Sequence, residues 1–391
     1  MRVLLAFDKF KNSLTAPQAC EAAARALRES HPDWLLDHCP LADGGEGFAE
    51  ILTLAASGAL QHAIVAGPRD QPAAAHLGLV SANQIPATAR ALLTLPALPD
   101  DALVAVVELA QASGLALLTP ESRDPWQTAT HGTGQLIRLA AEKYGAQAVV
   151  LGVGGSATND LGLGALGALG LEFFTETGER FDVNSHPPIP ARWPQLARIA
   201  GIVPASLPPL RIACDVDNPL LGPRGAAAIY GPQKGLRAAD LRRLEHASAR
   251  VALMLCAHSG QPDTLMDAPG AGAAGGIAFG LLCAAAAQLV SGSALVAAWL
   301  DLDARLAAAD LVLTGEGRFD ASSLAGKGPG AVVARARALG KPVHVFAGTT
   351  ATDTAKTLPS LNIITPAGMP EAAALRTAAA NLTRAVAAAF P

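Results

Sequence analysis

Val3-Leu4-Leu5-Ala6-Phe7-Asp8-Lys9-Phe10-Lys11-Asn12-Ser13-Leu14-Thr15-Ala16-Pro17-Gln18, running on into Ala19–Arg28, is the stretch whose reading decides the fold. The apolar run Val3–Phe7 is short and ends at once on a charge, which reads as a buried strand. A polar loop, Asp8–Leu14, follows. Thr15 and Gln18 have the spacing of a capping box, and Pro17 falls in the first turn, so a helix over Ala19–Arg28 is expected. The same order returns next door. Leu35–Cys39 reads as a strand, Asp43-Gly44-Gly45-Glu46-Gly47 as a turn, and Phe48–Ala56 as a helix. Strand–loop–helix alternation implies a parallel α/β sheet, because parallel neighbours need a crossover between them.

The C-terminal end has the same texture. Leu311–Leu313, Val343–Phe346 and Asn362–Ile364 read as strands, Gly330–Leu339 and Glu371–Phe390 as helices. Between the two ends lies a different segment. It holds a Pro- and Ala-rich region (Pro68–Pro99), strands at Leu103–Glu108, Ala148–Leu151 and Arg211–Cys214, and a Pro-rich loop (Pro187–Pro194). The simplest architecture is a discontinuous Rossmann-like α/β domain from residues 1–66 and 290–391, with a second α/β domain, residues 67–289, inserted in it.

Composition sets the limits. The 391 residues are 51% hydrophobic but only 4% aromatic, so the core must be built from Ala, Leu, Val and Ile. From Ala268 to Leu300 no side chain is charged. Gln288 and Ser291-Gly292-Ser293 interrupt this run, which therefore reads as a buried helix, a turn and a second helix rather than a membrane span. The N-terminal apolar run stops at Asp8, so no secretory signal is expected. Net charge is -4 with both signs interspersed, which gives no footing for nucleic acid. Cys20, Cys39, Cys214, Cys256 and Cys283 include no CxxC pair and are odd in number, which points to reduced thiols in a cytoplasmic protein.

Six loops have residue types that bear chemistry. Asp8–Ser13 sits at the carboxyl end of the first strand, and Lys11, just before a helix, suits a carboxylate or phosphate. Asp43-Gly44-Gly45-Glu46-Gly47 sets two carboxylates among glycines, fit for Mg²⁺ or for a substrate hydroxyl proton. Gly152-Val153-Gly154-Gly155-Ser156-Ala157-Thr158-Asn159-Asp160 frees backbone N–H groups to converge on an anion, with Ser156 and Thr158 as further donors. It also satisfies G-x-G-x-x-A, but the ribose-binding acid expected about 20 residues on is poorly met, since Glu172 lies closer. Asp215-Val216-Asp217-Asn218-Pro219 follows a short strand, and alternation along an extended segment turns only one of its acids to any one face. Gly270–Gly276 matches G-x-G-x-x-G with no strand before it, so it reads as a flexible hinge or as a small-residue helix start that allows close packing or phosphate approach. Thr314-Gly315-Glu316-Gly317-Arg318-Phe319-Asp320 leaves a strand, with Ser322, Ser323 and Lys327 downstream. Glu316 and Asp320 suit Mg²⁺, and Arg318 or Lys327 suits phosphate.

Absences narrow the field. There is no G-x-x-x-x-G-K-[ST], no H-R-D or D-F-G, and no G-x-S-x-G. His131, in Thr130-His131-Gly132, reads as a helix-start or core histidine rather than a general base.

In order and spacing, these loops resemble the bacterial glycerate kinase family, the single-chain α/β type whose members make 2-phosphoglycerate. The matching stretches are DKFKNSL (Asp8–Leu14), PLADGGEG (Pro40–Gly47), Gly152–Asp160, ACDVDNPLLG (Ala213–Gly222), Gly270–Gly276, and LTGEGRFD (Leu313–Asp320) with Gly326-Lys327. No single motif decides it; the ordered set does. Where the family usually has Ser, Gly or Glu, and Gln, this chain has Lys9, Asn12 and Ala321-Ser322-Ser323. The resemblance implies a cleft between two domains, ATP and Mg²⁺ as co-substrate and cofactor, and D-glycerate phosphorylated at the 2-hydroxyl. It implies no membrane or nucleic-acid partner and a monomer or homodimer. The expected catalytic set is Lys11, Asp43, Asp215, Glu316 and Asp320. Asp43, Glu46, Asp215, Glu316 and Asp320 are the candidate metal ligands, and Asp215 the expected proton acceptor. Asp8, Ser13, Gly44, Gly45, Glu46, Gly154, Gly155, Ser156, Thr158, Asp160, Gly315 and Lys327 would line the substrate and phosphate sites. The rivals are phosphorylation at the 3-hydroxyl, an NAD-dependent oxidoreductase acting on the same hydroxy acid, and a non-catalytic sugar-acid sensor.

Overall fold

The structure, a computed structural model, describes residues 1–320, 323, 328–350 and 360–391. Its strands are β1 (Arg2–Phe7), β2 (Leu35–His38), β3 (Ala59–Ala66), β4 (Pro72–Ser81), β5 (Leu103–Glu108), β6 (Ala148–Gly152), β7 (Leu171–Phe174), β8 (Arg198–Gly201), β9 (Leu210–Ala213), β10 (Gln288–Val290), β11 (Leu311–Phe319), β12 (Val343–Thr350) and β13 (Leu361–Ile363). Packing divides the chain into two compact units, Met1–Asp43 with Val296–Pro391, and Gly44–Leu295.

In the first unit the sheet order is β13-β12-β11-β1-β2, and every pair is parallel. Renumbered within the unit this is 2-1-3-4-5, the doubly wound order whose direction of winding reverses between β1 and β11. The crossover helix Ala16–Ser30 begins as the sequence demands. Thr15 accepts from the Gln18 N–H, the Gln18 side chain accepts from the Thr15 N–H, and Pro17 sits in the first turn. Its Ala19, Ala23 and Leu27 pack with Val3, Leu5 and Phe7 of β1 and with Leu382 and Val386 near the C-terminus. Alanine on the helix face lets backbone come close to sheet, which is how an aromatic-poor chain reaches native packing density.

In the second unit a six-stranded sheet runs β10-β9-β6-β5-β4-β3. The pairs β3–β4 and β4–β5 are antiparallel, while β5, β6, β9 and β10 are parallel neighbours. A separate hairpin joins β7 and β8. Helices His131–Glu142, Leu241–Ser259 and Ala273–Ala284 bury Leu136, Val251 and Ile277 in this unit's core.

Several element expectations shift. The strand read at Leu311–Leu313 continues to Phe319, because β12 offers partners as far as Phe319↔Thr350; the glycine- and acid-rich segment is therefore strand, not loop. The closing helix breaks at Thr377 into Glu371–Arg376 and Ala378–Ala389. The uncharged run after Ala268 makes two helices, Ala273–Ala284 and Gly292–Trp299, with β10 inserted between them. Among the described residues no helix is long and apolar enough to cross a membrane. All five cysteines are free, and four of them are buried.

Candidate active site

In the first unit the carboxyl ends of β1 and β11 lie side by side at the reversal point. Phe7 pairs with Gly315, and the Asp8 N–H donates to the Gly315 carbonyl at 2.9 Å. Gly315 is required there, since a Cβ would overlap the Phe346 carbonyl of β12. Past this pairing the chain delivers Asp8, Glu316 and Asp320. Asp8 is buried and accepts from the Lys9 N–H at 2.6 Å. The Lys9 ammonium lies 3.5 Å from Asp43. Asp320 faces the Arg318 guanidinium at 3.1 Å, and its N–H donates to the Ser323 hydroxyl.

Glu316 is the distinctive group. Its Oε1 is buried and has no hydrogen-bond partner among the described residues. Burial pushes its carboxyl up to about 7; the Ser323 hydroxyl opposes this, and the charges of Asp8, Asp320 and Asp43 add to it. A buried orphan oxygen held near neutrality among other carboxylates is suited to take up a proton or to face a cation. Hard oxygen donors of this kind fit Mg²⁺, which keeps several waters and needs only one or two carboxylates. Among the described residues no group of three or more His, Cys, Asp and Glu side chains is placed to hold a metal ion, so a metal here would rest on one or two carboxylates and water.

Lys11 is exposed at the mouth of this loop, next to Asn12 at φ 63°. Asparagine tolerates that left-handed conformation better than most residues. The Ser13 hydroxyl closes the turn on the Phe10 carbonyl at 3.0 Å. Lys327 and Ser322 lie outside the described residues.

In the second unit, the carboxyl ends of β5, β6, β9 and β10 gather another set. The glycine loop after β6 rests on the turn that opens with Gly44. The Gly154 N–H donates to the Gly44 carbonyl at 2.9 Å, and a Cβ on Gly154 would stand 2.5 Å from the Gly45 Cα. The glycines of both loops are therefore mutual requirements: two backbones touch, and neither has room for a side chain. Glu46 lies over Gly155, where an added Cβ would be 3.9 Å from its Oε1. The Ala110–Leu115 segment backs the loop through Leu115 N–H to Gly155 O (2.8 Å) and Ala157 N–H to Ser113 O (2.9 Å). Ser156 and Thr158 are buried, and the Thr158 Oγ1 and Asn159 Oδ1 have no partner among the described residues.

Asp160 is fully buried. It accepts from the Thr130 N–H and hydroxyl (both 2.8 Å), from Gly164 N–H (3.1 Å) and from Gly162 N–H (3.2 Å). Burial raises its pKa, and these donors pull the other way. Asp215 is engaged by the start of the next helix: Ser291 Oγ (2.9 Å), Ser293 N–H (2.8 Å) and Ser293 Oγ (3.0 Å) all donate to it. His131 begins the helix His131–Glu142 and is buried, and burial lowers its pKa, as suits a core histidine.

Two residues of this constellation escaped the sequence reading. Glu108, the last residue of β5, is fully buried and accepts from the Gly47 and Ala49 N–H groups at 3.1 and 3.2 Å, so it fixes the helix start behind the Gly44–Gly47 turn. An acid closing the apolar run Leu103–Val107 was the available signal. Lys234 is buried, and its Nζ donates to the Thr158 carbonyl at 2.6 Å. Its setting, Gly231-Pro232-Gln233-Lys234-Gly235, reads as an ordinary turn, and nothing local announces burial.

The Gly270–Gly276 run turns out to be a bracket. Ala274, Gly275 and Gly276 have φ of 52°, 75° and 88°. A Cβ at Gly275 would overlap the Thr158 carbonyl and one at Gly272 the Pro219 carbonyl. The Gly272 N–H donates to Asn218 O and Leu161 N–H to Gly275 O. The run thus clamps the glycine loop and the Asp215 loop from behind, which is close packing, one of the three alternatives its sequence left open.

Comparison with known proteins identifies the family and the fold. The model of the Glycerate kinase family matches residues 3–390. The chain is 36% identical to the glycerate kinase of Bacillus subtilis (strain 168) and 36% identical to the glycerate 2-kinase of Escherichia coli (strain K12), each over 90% of this chain and 86% of the relative. A crystal structure of a Salmonella typhimurium LT2 protein assigned as glycerate kinase 2 superposes with a TM-score of 0.73 at 35% identity, covering 100% of this chain and 98% of that one. With a family match over nearly its whole length and a shared fold, this chain is a member of the glycerate kinase family of phosphotransferases.

Proposed function

We propose that the protein transfers the terminal phosphoryl group of Mg-ATP to the 2-hydroxyl of D-glycerate, giving 2-phosphoglycerate and ADP. The observation that carries this reading is the buried, unpartnered Glu316 Oε1 at the reversal point of a parallel sheet, with Asp8, Asp320 and Asp43 around it. The names of the relatives support the substrate and, in the E. coli case, the position.

Phosphoryl transfer asks a protein for positioning and charge rather than covalent chemistry. One or two of Asp8, Asp43 and Asp320 are assigned to hold Mg²⁺ with its waters, and the metal would there neutralise charge on the phosphate chain. Glu316 is assigned to accept the proton of the substrate hydroxyl, since a carboxyl poised near neutrality is ionised enough to take it and basic enough to keep it. Asp215, already accepting from Ser291 and Ser293, is assigned to hold the helix behind it. Lys11 is assigned to the glycerate carboxylate, and the N–H groups of Gly155, Ser156 and Thr158, which Gly44 and Ser113 do not engage, to an oxyanion of one substrate. Incubation with glycerate and either Mg-ATP or NAD tests the reading. ADP should form only in the first mixture; NADH in the second, with no ADP, would replace it with a hydride transfer. Ligand-induced stabilisation with neither product would leave a sensor.

A further inference from the structure

The glycine loop has a charged anchor behind it. Lys234 contributes a buried ammonium whose one hydrogen bond to the described residues ends on the Thr158 carbonyl, at 2.6 Å. Gly275 also lies against that carbonyl, at a point where no side chain fits. Asp160, two residues further on, is fully buried on four donors of its own. An ammonium removed from water is expensive unless it is matched, and here the match is one carbonyl dipole and one nearby carboxylate. The loop's own Thr158 Oγ1 and Asn159 Oδ1 are buried without partners beside it. A core built only for stability would replace such a group with an apolar side chain, because the swap is often neutral or stabilising.

We infer that Lys234 is a positioning residue for oxyanion binding: it fixes the Thr158 carbonyl, and with it the course of the loop whose Gly155, Ser156 and Thr158 N–H groups are left for an anion, and it places a positive charge behind them. The inference rests on the proposed function for the identity of the anion, which is either the phosphate chain of ATP or the glycerate carboxylate. Burial brings the Lys234 pKa down to about 7 while Asp160 acts against that, so its charge is the most perturbable part of the device.

The test is steady-state kinetics of wild type and Lys234→Met with both substrates varied. Wild-type turnover is read first, and its absence counts against the reaction assignment rather than against the lysine. With an active wild type, Lys234→Met should raise KM for one substrate at least tenfold and for the other much less; the affected substrate names the anion. A merely structural lysine would lower the active fraction, and so apparent kcat, with both KM values within twofold of wild type; that result overturns the inference. If Lys234→Met does not fold, Lys234→Met with Asp160→Asn, which leaves the interior without net charge, is measured against the same criterion. Should neither fold, the lysine serves folding and the inference fails.

Discussion

The carboxyl of Glu316 ties stability and turnover together in opposite senses. Its folded-state pKa is raised above the ordinary glutamate value to about 7. Its contribution to stability is therefore fully present below about 4.5 and is lost as pH rises through about 7. Ligand-free protein should accordingly lose stability between pH 6 and 8, and Glu316→Gln should lose less over the same interval. Thermal melts at both pH values check this, with a variant Tm at pH 8 about 2 °C or more above wild type expected. The same substitution should lower kcat by about 100-fold or more if the carboxylate accepts the hydroxyl proton. Near-normal turnover in Glu316→Gln would return that role to another acid. Asp43→Asn, at the end of the Lys9 ion pair, should likewise reduce turnover by about 100-fold or more if it holds Mg²⁺, and the loss should depend on Mg²⁺ concentration. At this scale the sequence was informative about Asp8, Asp43 and Glu316, because acids beside glycines at strand ends are chemically conspicuous. It was silent on Lys234 and showed Glu108 only as the end of a strand, because burial of a charged side chain is decided by elements distant in the chain.

Backbone contact between loops is the organising feature at the level of elements. Gly154 against Gly45, and Gly275 against the Thr158 carbonyl, each replace a side-chain contact with touching main chain. Gly275→Ala adds a Cβ where the carbonyl already sits and forces φ 75° on a residue that resists it. It should destabilise by about 2 kcal/mol or more, read as a lower denaturant midpoint with an unchanged slope. A wild-type midpoint would mean the loops do not bear on one another. The capping box at Thr15 and the first two strand–loop–helix units were legible because they are written in contiguous residues. The extension of β11 to Phe319 was not. Glycines and charges argue for a loop, and only the partner strand β12 makes that segment extended. Strands β3 and β4 went unread for a related reason: the Ala-rich start of β4 has weak strand propensity, and pairing of β4 with β5 and of β3 with β4 supplies what the local sequence lacks.

Across the whole molecule, one parallel and one mixed sheet present the carboxyl ends of their parallel strands with different chemistry. The first presents carboxylates and lysines around Glu316; the second presents glycine loops, held from behind by Glu108, Lys234 and the Gly270–Gly276 run. A phosphotransferase needs both kinds of surface, one for metal and proton, one for oxyanions. The most direct test is a phosphorus NMR spectrum of the product formed from D-glycerate and Mg-ATP. The account predicts loss of the γ-phosphate signal and a new phosphomonoester resonance split by the single proton on C2. A resonance split by two protons would move the transfer to the 3-hydroxyl, and no new phosphomonoester at all would contradict the proposed reaction.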